Sequence, residues 1–189
     1  VRFNMLRRKV GEDENIEIEW NRVDVLLKGA SIKRENVIKE GESSYFRQYF
    51  LGHCPNGVGE VRDYQKITIK DVYPGIDWVL YNNNEKGVKY DFVVHPNANP
   101  KDIELVYLSK KPVVLNSNGE IEISTTIGKI KENAPVSFLN GAAISSEFKL
   151  NYQKKTEINE DSGFETAIGF NFPGIELSSR TSDLIIDPQ

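Results

Sequence analysis

The sequence predicts an all-β chain, an antiparallel β-sandwich with little helix. Three observations predict it. Apolar and polar residues alternate over short segments, the period-two pattern of a strand with one buried face. These segments recur about every 8–12 residues with Gly, Pro and Asn between them, the spacing of hairpin-connected sheets. No amphipathic helical pattern extends beyond two turns anywhere in the sequence.

The elements follow in order. Val1, Phe3 and Met5 share one parity of a first strand, and Gly11-Glu12-Asp13-Glu14-Asn15 is a polar turn. Ile16, Ile18 and Trp20 alternate, then Val23, Val25 and Leu27 alternate on the other parity. The first 28 residues therefore read as a long hairpin, and the slip at Asn21-Arg22 predicts a β-bulge or bend. Residues 31–59 are the least regular part. Tyr45, Phe46, Tyr49 and Phe50 stand at i, i+1, i+4 and i+5, the spacing of one helical turn with an aromatic face. Such rings suit either packing over a sheet end or a ligand platform. Pro55-Asn56-Gly57 marks a turn.

The strongest pattern lies between Lys66 and Pro100. Ile67 and Ile69 alternate with Thr68 and Lys70, and Pro74-Gly75 suits the centre of a type II turn, since proline fixes φ and glycine accepts φ > 0. Ile76 to Tyr81 resumes as a strand, the cluster from Asn82 to Gly87 turns, and Val88 to Val94 returns. Tyr73, Pro74, Gly75 and Asp77 thus form a structural corner ahead of a β-hairpin. Beyond Pro100, Lys101-Asp102 fits a single helical turn, and Ile103, Leu105 and Tyr107 form a strand. Asn116-Ser117-Asn118-Gly119 is a hairpin signal between Val113–Leu115 and Ile121–Ile123. Short strands follow at 127–131 and 136–139, then at 148–152, 164–170 and 184–186, with a charged loop from Lys154 to Gly163 and turns at Asn140-Gly141 and Pro173-Gly174.

The string DVYPGIDWVLY, followed by KYDFVVHPNANPKDIELVY, resembles an uncharacterised domain of secreted surface proteins from the Bacteroidota and some other bacteria. That family shows a "YPGIDLVYY…YDFVVxPGADP" pattern. Its members precede SBBP (β-propeller-type) repeats or gliding-motility-type C-terminal sorting domains. SSYFRQYFLGH and the closing LIIDP resemble further segments of it, so the likeness runs from about Val23 to the end. Trp78 stands where the family more often has an aliphatic residue, and Asn97-Ala98-Asn99 replaces Gly-Ala-Asp. The resemblance implies an exported chain at the outer cell surface. Its partners would be neighbouring domains of the same polypeptide, and glycans or surface proteins.

Size and composition bound the rest. The 189 residues fit either one β-rich domain over 1–189, with room for two packed sub-sandwiches, or two closely packed β lobes with a boundary near 96–112. A net charge of −4 argues against a nucleic-acid partner, which needs a concentrated basic surface. Arg7-Arg8-Lys9 runs straight into Glu12-Asp13-Glu14 and reads as a solvated turn. No apolar run reaches the ~18 residues of a membrane-spanning helix, so no membrane insertion is expected. The chain begins at Val1 in strand-like sequence, which reads as a mature product or an excised piece.

The sequence carries few residues arranged for chemistry. Cys54 is the single cysteine, so no intrachain disulfide forms and the redox compartment is not revealed. A Cys–His nucleophile would need His95 to reach Cys54, because His53 and Cys54 are strand neighbours that point apart. Two His and one Cys fall short of a zinc site, and no cofactor is implied. Gly57-x-Gly59 lacks the helix a phosphate loop requires. Asp77 and Asp91 are the best acid candidates, since each lies inside an apolar strand. The competing reading is that they face solvent or satisfy backbone N–H groups at the corner. Asn82-Asn83-Asn84-Glu85 and Asn159-Glu160-Asp161-Ser162 offer oxygen ligands for Ca²⁺ or ordinary turn chemistry. Trp78, Tyr81 and Tyr90 are the candidate ligand-binding rings, but Trp78 and Tyr81 have opposite parity and point to opposite faces of a regular strand.

The expectation is therefore a non-catalytic structural or adhesive module of a large exported cell-surface protein. The alternatives are a carbohydrate-binding module using exposed aromatics and a hydrolase-associated or pro-domain.

Overall fold

The computed structural model describes residues 1–10, 16–83, 87–158 and 161–188. It is an all-β, antiparallel fold whose helix, among the described residues, amounts to two single 3-10 turns, at Arg34–Asn36 and Pro100–Asp102. The strands are β1 (Arg2–Val10), β2 (Ile16–Leu27), β3 (Val37–Leu51), β4 (Cys54–Tyr73), β5 (Ile76–Asn83), β6 (Gly87–Val94), β7 (Leu105–Ser109) and β8 (Val113–Leu115). They continue with β9 (Ile121–Thr125), β10 (Gly128–Glu132), β11 (Val136–Leu139), β12 (Ala142–Ile144), β13 (Glu147–Ile158), β14 (Asp161–Asn171) and β15 (Leu184–Asp187). They form a five-stranded sheet β1-β2-β7-β14-β13, a three-stranded sheet β10-β9-β8 and a seven-stranded sheet β12-β11-β15-β6-β5-β4-β3.

The core lies between the inner faces of these sheets. Ile69, Ile76, Trp78, Phe92, Val94, Leu184 and Ile186 come from the seven-stranded sheet, Leu105, Tyr107, Ile168 and Phe170 from the five-stranded sheet, and Val113, Ile121 and Ile123 from the small one. Phe92 meets Phe170 edge to face across the layers, with centroids 6.0 Å apart. The large sheet is in phase along its rungs. Ile69, Trp78, Phe92, Ile186 and Ser137 pair in sequence across five strands, and all are buried.

The corner, the β5–β6 hairpin and the Asn116–Gly119 hairpin stand where the alternation and turn residues predict them. Gly75 takes φ 69, as the third residue of a type II turn requires, and Tyr73 pairs with Ile76 across it. The turn at Pro100–Asp102 is capped by the Asn99 side chain, which accepts from the Lys101 N–H at 3.1 Å.

Four expectations are corrected. The β1–β2 register runs unbroken from Arg2↔Asp24 to Val10↔Ile16, so Asn21-Arg22 carries no bulge. Instead the apolar stripe changes face. Near Val23 the odd residues are covered, while at the far end Ile16, Ile18 and Trp20 lie exposed on the even face. β2 pairs with β7 only over Val23–Leu27, so nothing imposes burial on the distal half. Residues 45–50 are not helical but part of β3, with Phe46↔Arg62, Arg47↔Val61 and Tyr49↔Val58. Chain reversal comes at Gly52-His53, closed by Leu51↔Cys54, and Pro55-Asn56-Gly57 lies inside β4. The charged stretch from Lys154 is strand to Ile158 and again from Asp161, because cross-strand pairing extends past the covered region. The turn expected at Gly11–Asn15 lies outside the described residues.

Candidate functional site

The β5–β6 hairpin sorts its side chains by parity. Trp78 and Leu80 on β5, with Tyr90 and Phe92 on β6, face inward. Trp78 stacks on Phe92 with centroids 6.4 Å apart, and Tyr90 sets its ring edge-on to both. Asp77, Tyr81, Lys89 and Asp91 have the opposite parity and share the outer face. Tyr81 is thus separated from Trp78 and Tyr90, and Trp78, only 8% exposed, does not offer a face to solvent. The three rings form no common platform.

Trp78 and Tyr90 instead line a cavity of about 340 Å³ where the three sheets meet. One carboxyl joins the sheets there. Tyr107 of β7 donates its phenol hydrogen to Glu132 Oε2 at 2.7 Å, and Tyr90 of β6 donates to Oε1 of the same residue, which ends β10. Burial pushes the Glu132 carboxyl above the usual range, against the two phenol bonds that pull it down. Burial, and then the nearby carboxylate, also drives both phenols well above their ordinary value. Two lysines lie in the wall, each directed to another acid: Lys89 to Asp187 at 2.9 Å and Lys131 to Glu122 at 3.8 Å. Among the described residues Glu132 has no cationic partner. The Trp78 indole N–H is buried without an acceptor.

The corner residues do other work. Tyr73 donates its hydroxyl to the Lys28 carbonyl at 3.0 Å. Asp77 Oδ1 accepts the Asp71 N–H at 3.0 Å, and its Oδ2 lies 3.2 Å from His95 Nε2. His95 Nδ1 reaches Asp183 at 2.9 Å. The bond to Asp183, more than that to Asp77, raises the imidazole above its ordinary value. Arg180 donates to the carbonyls of His95 at 2.5 Å and Ala98 at 2.7 Å. This cluster ties the DVYPGID, HPNANP and DLIIDP segments together through part-buried polar bonds and the exposed His95–Asp183 contact. At the other end of the outer face Tyr81 donates to Asp91 at 3.2 Å. Burial, reinforced by Asp187, pushes Asp91 up to about 6.

Among the described residues Cys54 and His95 are not brought together. Cys54 Sγ lies 3.5 Å from the Gly57 carbonyl, while His95 is held between two aspartates. Among the described residues no three His, Cys, Asp or Glu side chains gather as metal ligands. Asn84, Glu85, Asn159 and Glu160 of the two Ca²⁺ candidate loops lie outside the described residues. No described helix is long and apolar enough to cross a membrane. Sequence reasoning missed Glu132 and Asp183. Glu132 had a usable signal: it shares parity with Ile130, an acid on the apolar side of its strand, as Asp77 and Asp91 lie among apolar neighbours. Asp183 had none, since it meets His95 only through the β6–β15 pairing.

A family model described as "Domain of unknown function (DUF7948)" matches residues 4–189. No curated protein and no solved structure matches the chain.

Proposed function

From the premise that the chain belongs to the DUF7948 family of domains of unknown function, we propose that it is a non-catalytic structural and adhesive module of a large exported cell-surface protein. It docks through its long hairpins against neighbouring domains of the same polypeptide. The observation that carries this reading is the β3–β4 arm. Past Glu42 the two strands pair only with each other, and their rings are left in solvent: Phe50 is 78% exposed and Tyr45 62%, with Phe46, Tyr49, Leu51 and Val58 also exposed. β3 is also the free edge of its sheet. A long apolar edge strand is an aggregation hazard that proteins normally cover. A tethered neighbour covers it at high effective concentration. The resemblance of the DVYPGID and YDFVVHP segments to secreted surface proteins supports the location.

The test is hydrogen exchange on residues 42–64, in the isolated chain and in its full-length parent, with protease shaving of intact cells. Slow exchange of the arm only in the parent, together with cleavage by external protease, is the expected result. Equal exchange in both, or a chain that shaving never reaches, overturns the reading.

A further inference from the structure

We propose that the cavity at the junction of the three sheets binds a small hydrophobic amine, with its ammonium on Glu132 and its apolar body against Trp78, Tyr90 and Tyr107. This goes beyond the docking role of the arms and does not depend on it.

Three observations carry the assignment. The cavity, at about 340 Å³, has the size of a small-molecule site, which typically starts near ~300 Å³. Its wall is mainly apolar, and two phenols in it converge on one carboxyl. That carboxyl has two phenol donors and no cation, whereas both wall lysines are directed to other acids. An acid set back from solvent without a counter-ion is costly, and a bound ammonium relieves that cost. Aromatic rings around such a point favour a cation further. An anionic ligand would be repelled by Glu132, and a neutral one would leave its charge unmatched.

The same geometry sets the experiment. In a Trp20→Phe background Trp78 is the sole indole, so its fluorescence reports the cavity. The probes are phenethylamine, 2-phenylethanol and 3-phenylpropionate, matched in ring and length but cationic, neutral and anionic. Phenethylamine is expected to saturate the signal and to bind about tenfold or more tightly than 2-phenylethanol, as a charged hydrogen bond warrants. The preference should vanish in Glu132→Gln. If Glu132→Gln fails to fold, amide chemical-shift mapping on the Trp20→Phe protein decides the matter: phenethylamine should move the signals of Tyr90, Tyr107 and Glu132, and shifts confined to other parts of the chain overturn the proposal. The proposal is overturned by equal binding of amine and alcohol, by tighter binding of the acid, or by no saturable binding of any probe. Survival of the preference in a folded Glu132→Gln protein overturns it too.

Discussion

The β5–β6 hairpin and the outer half of the β3–β4 hairpin are built from the same kinds of residue, yet they end in opposite environments. Both carry aromatic rings on paired antiparallel strands. On β5–β6 the inner rings Trp78 and Phe92 are buried under the five-stranded sheet, and Phe92 touches Phe170 across the layers. On β3–β4 the rings Tyr45 and Phe50 pack on no facing layer. Strand pairing follows from backbone hydrogen bonds and β-forming side chains. Burial requires a second surface at the right distance. The difference teaches that this fold holds a rigid sandwich and, attached to it, unfinished surface.

The largest expected effect breaks the comparison at its centre. Phe92→Ala opens a cavity among Trp78, Tyr90 and Phe170 and should cost about 3–5 kcal/mol of stability in a urea melt. Phe50→Ala removes a similar ring from solvent and should shift the same melt by no more than about 0.5 kcal/mol. Comparable costs for the two would mean the arm is covered in the isolated chain.

Glycine sharpens the contrast. Gly75 and Gly57 share the left-handed backbone, at φ 69 and 68. A Cβ at Gly75 would come within 3.0 Å of the Ala98 Cβ, and one at Gly57 within 3.1 Å of the Phe50 ring. Each alanine pays a conformational cost of about 1–2 kcal/mol. At Gly75 the corner is tied to the core, so the whole cost should appear in global unfolding. At Gly57 it should appear only as faster amide exchange near the arm tip, because local opening there leaves the sandwich folded. A global loss in Gly57→Ala would show that the arm and the sandwich unfold together.

That division also explains what the sequence could reveal. The DVYPGID corner, the β5–β6 hairpin and the Asn116–Gly119 hairpin were legible because alternation, turn residues and burial all agree there. The parity argument also placed Tyr81 opposite Trp78 correctly. The readings failed where no layer imposes burial: the aromatic pairs at 45–50 imitate helical spacing, the stripe on β2 changes face without a bulge, and the charged strands of β13–β14 look like a loop. Of the candidate site, the inward rings Trp78 and Tyr90 were legible. The convergence of Tyr90, Tyr107 and Glu132 was not, since it depends on how three separate sheets meet.

Acidity tests the two ends of the hairpin's outer face. Burial pushes Asp91 on the outer face up to about 6 in the folded state, against an ordinary value of 3.8, so the folded state binds the extra proton. Stability should therefore be full below about pH 4 and decline as pH rises to about 6, the reverse of the usual carboxylate behaviour. His95 is raised above 6.5 by Asp183 and Asp77, so its contribution is complete below pH 6.5 and is lost as pH rises through its folded value. Melting temperatures taken from pH 4 to 9 should fall in two steps. Asp91→Asn should reduce the lower step, to which the raised Glu132 carboxyl also contributes, and His95→Gln should flatten the upper. A profile unchanged by either variant would detach these groups from the stability of the hairpin.

The smallest effect belongs to the other unfinished surface, the distal half of β1–β2. Trp20 is 59% exposed and pairs across the strands with Leu6, itself exposed. Such a cross-strand pair is worth about 0.2–1 kcal/mol, so Trp20→Thr, which keeps a β-forming residue, should lower stability by no more than that. The optical effect should be far larger than the energetic one. Trp20 should supply the red-shifted, acrylamide-quenched part of the emission and Trp78 the blue, protected part, so the variant should leave only the second. If the native emission were protected throughout, a partner, most simply a second copy of the chain, would already cover the arm. The contrast between finished and unfinished surface would then hold for the single chain but not for the molecule in solution.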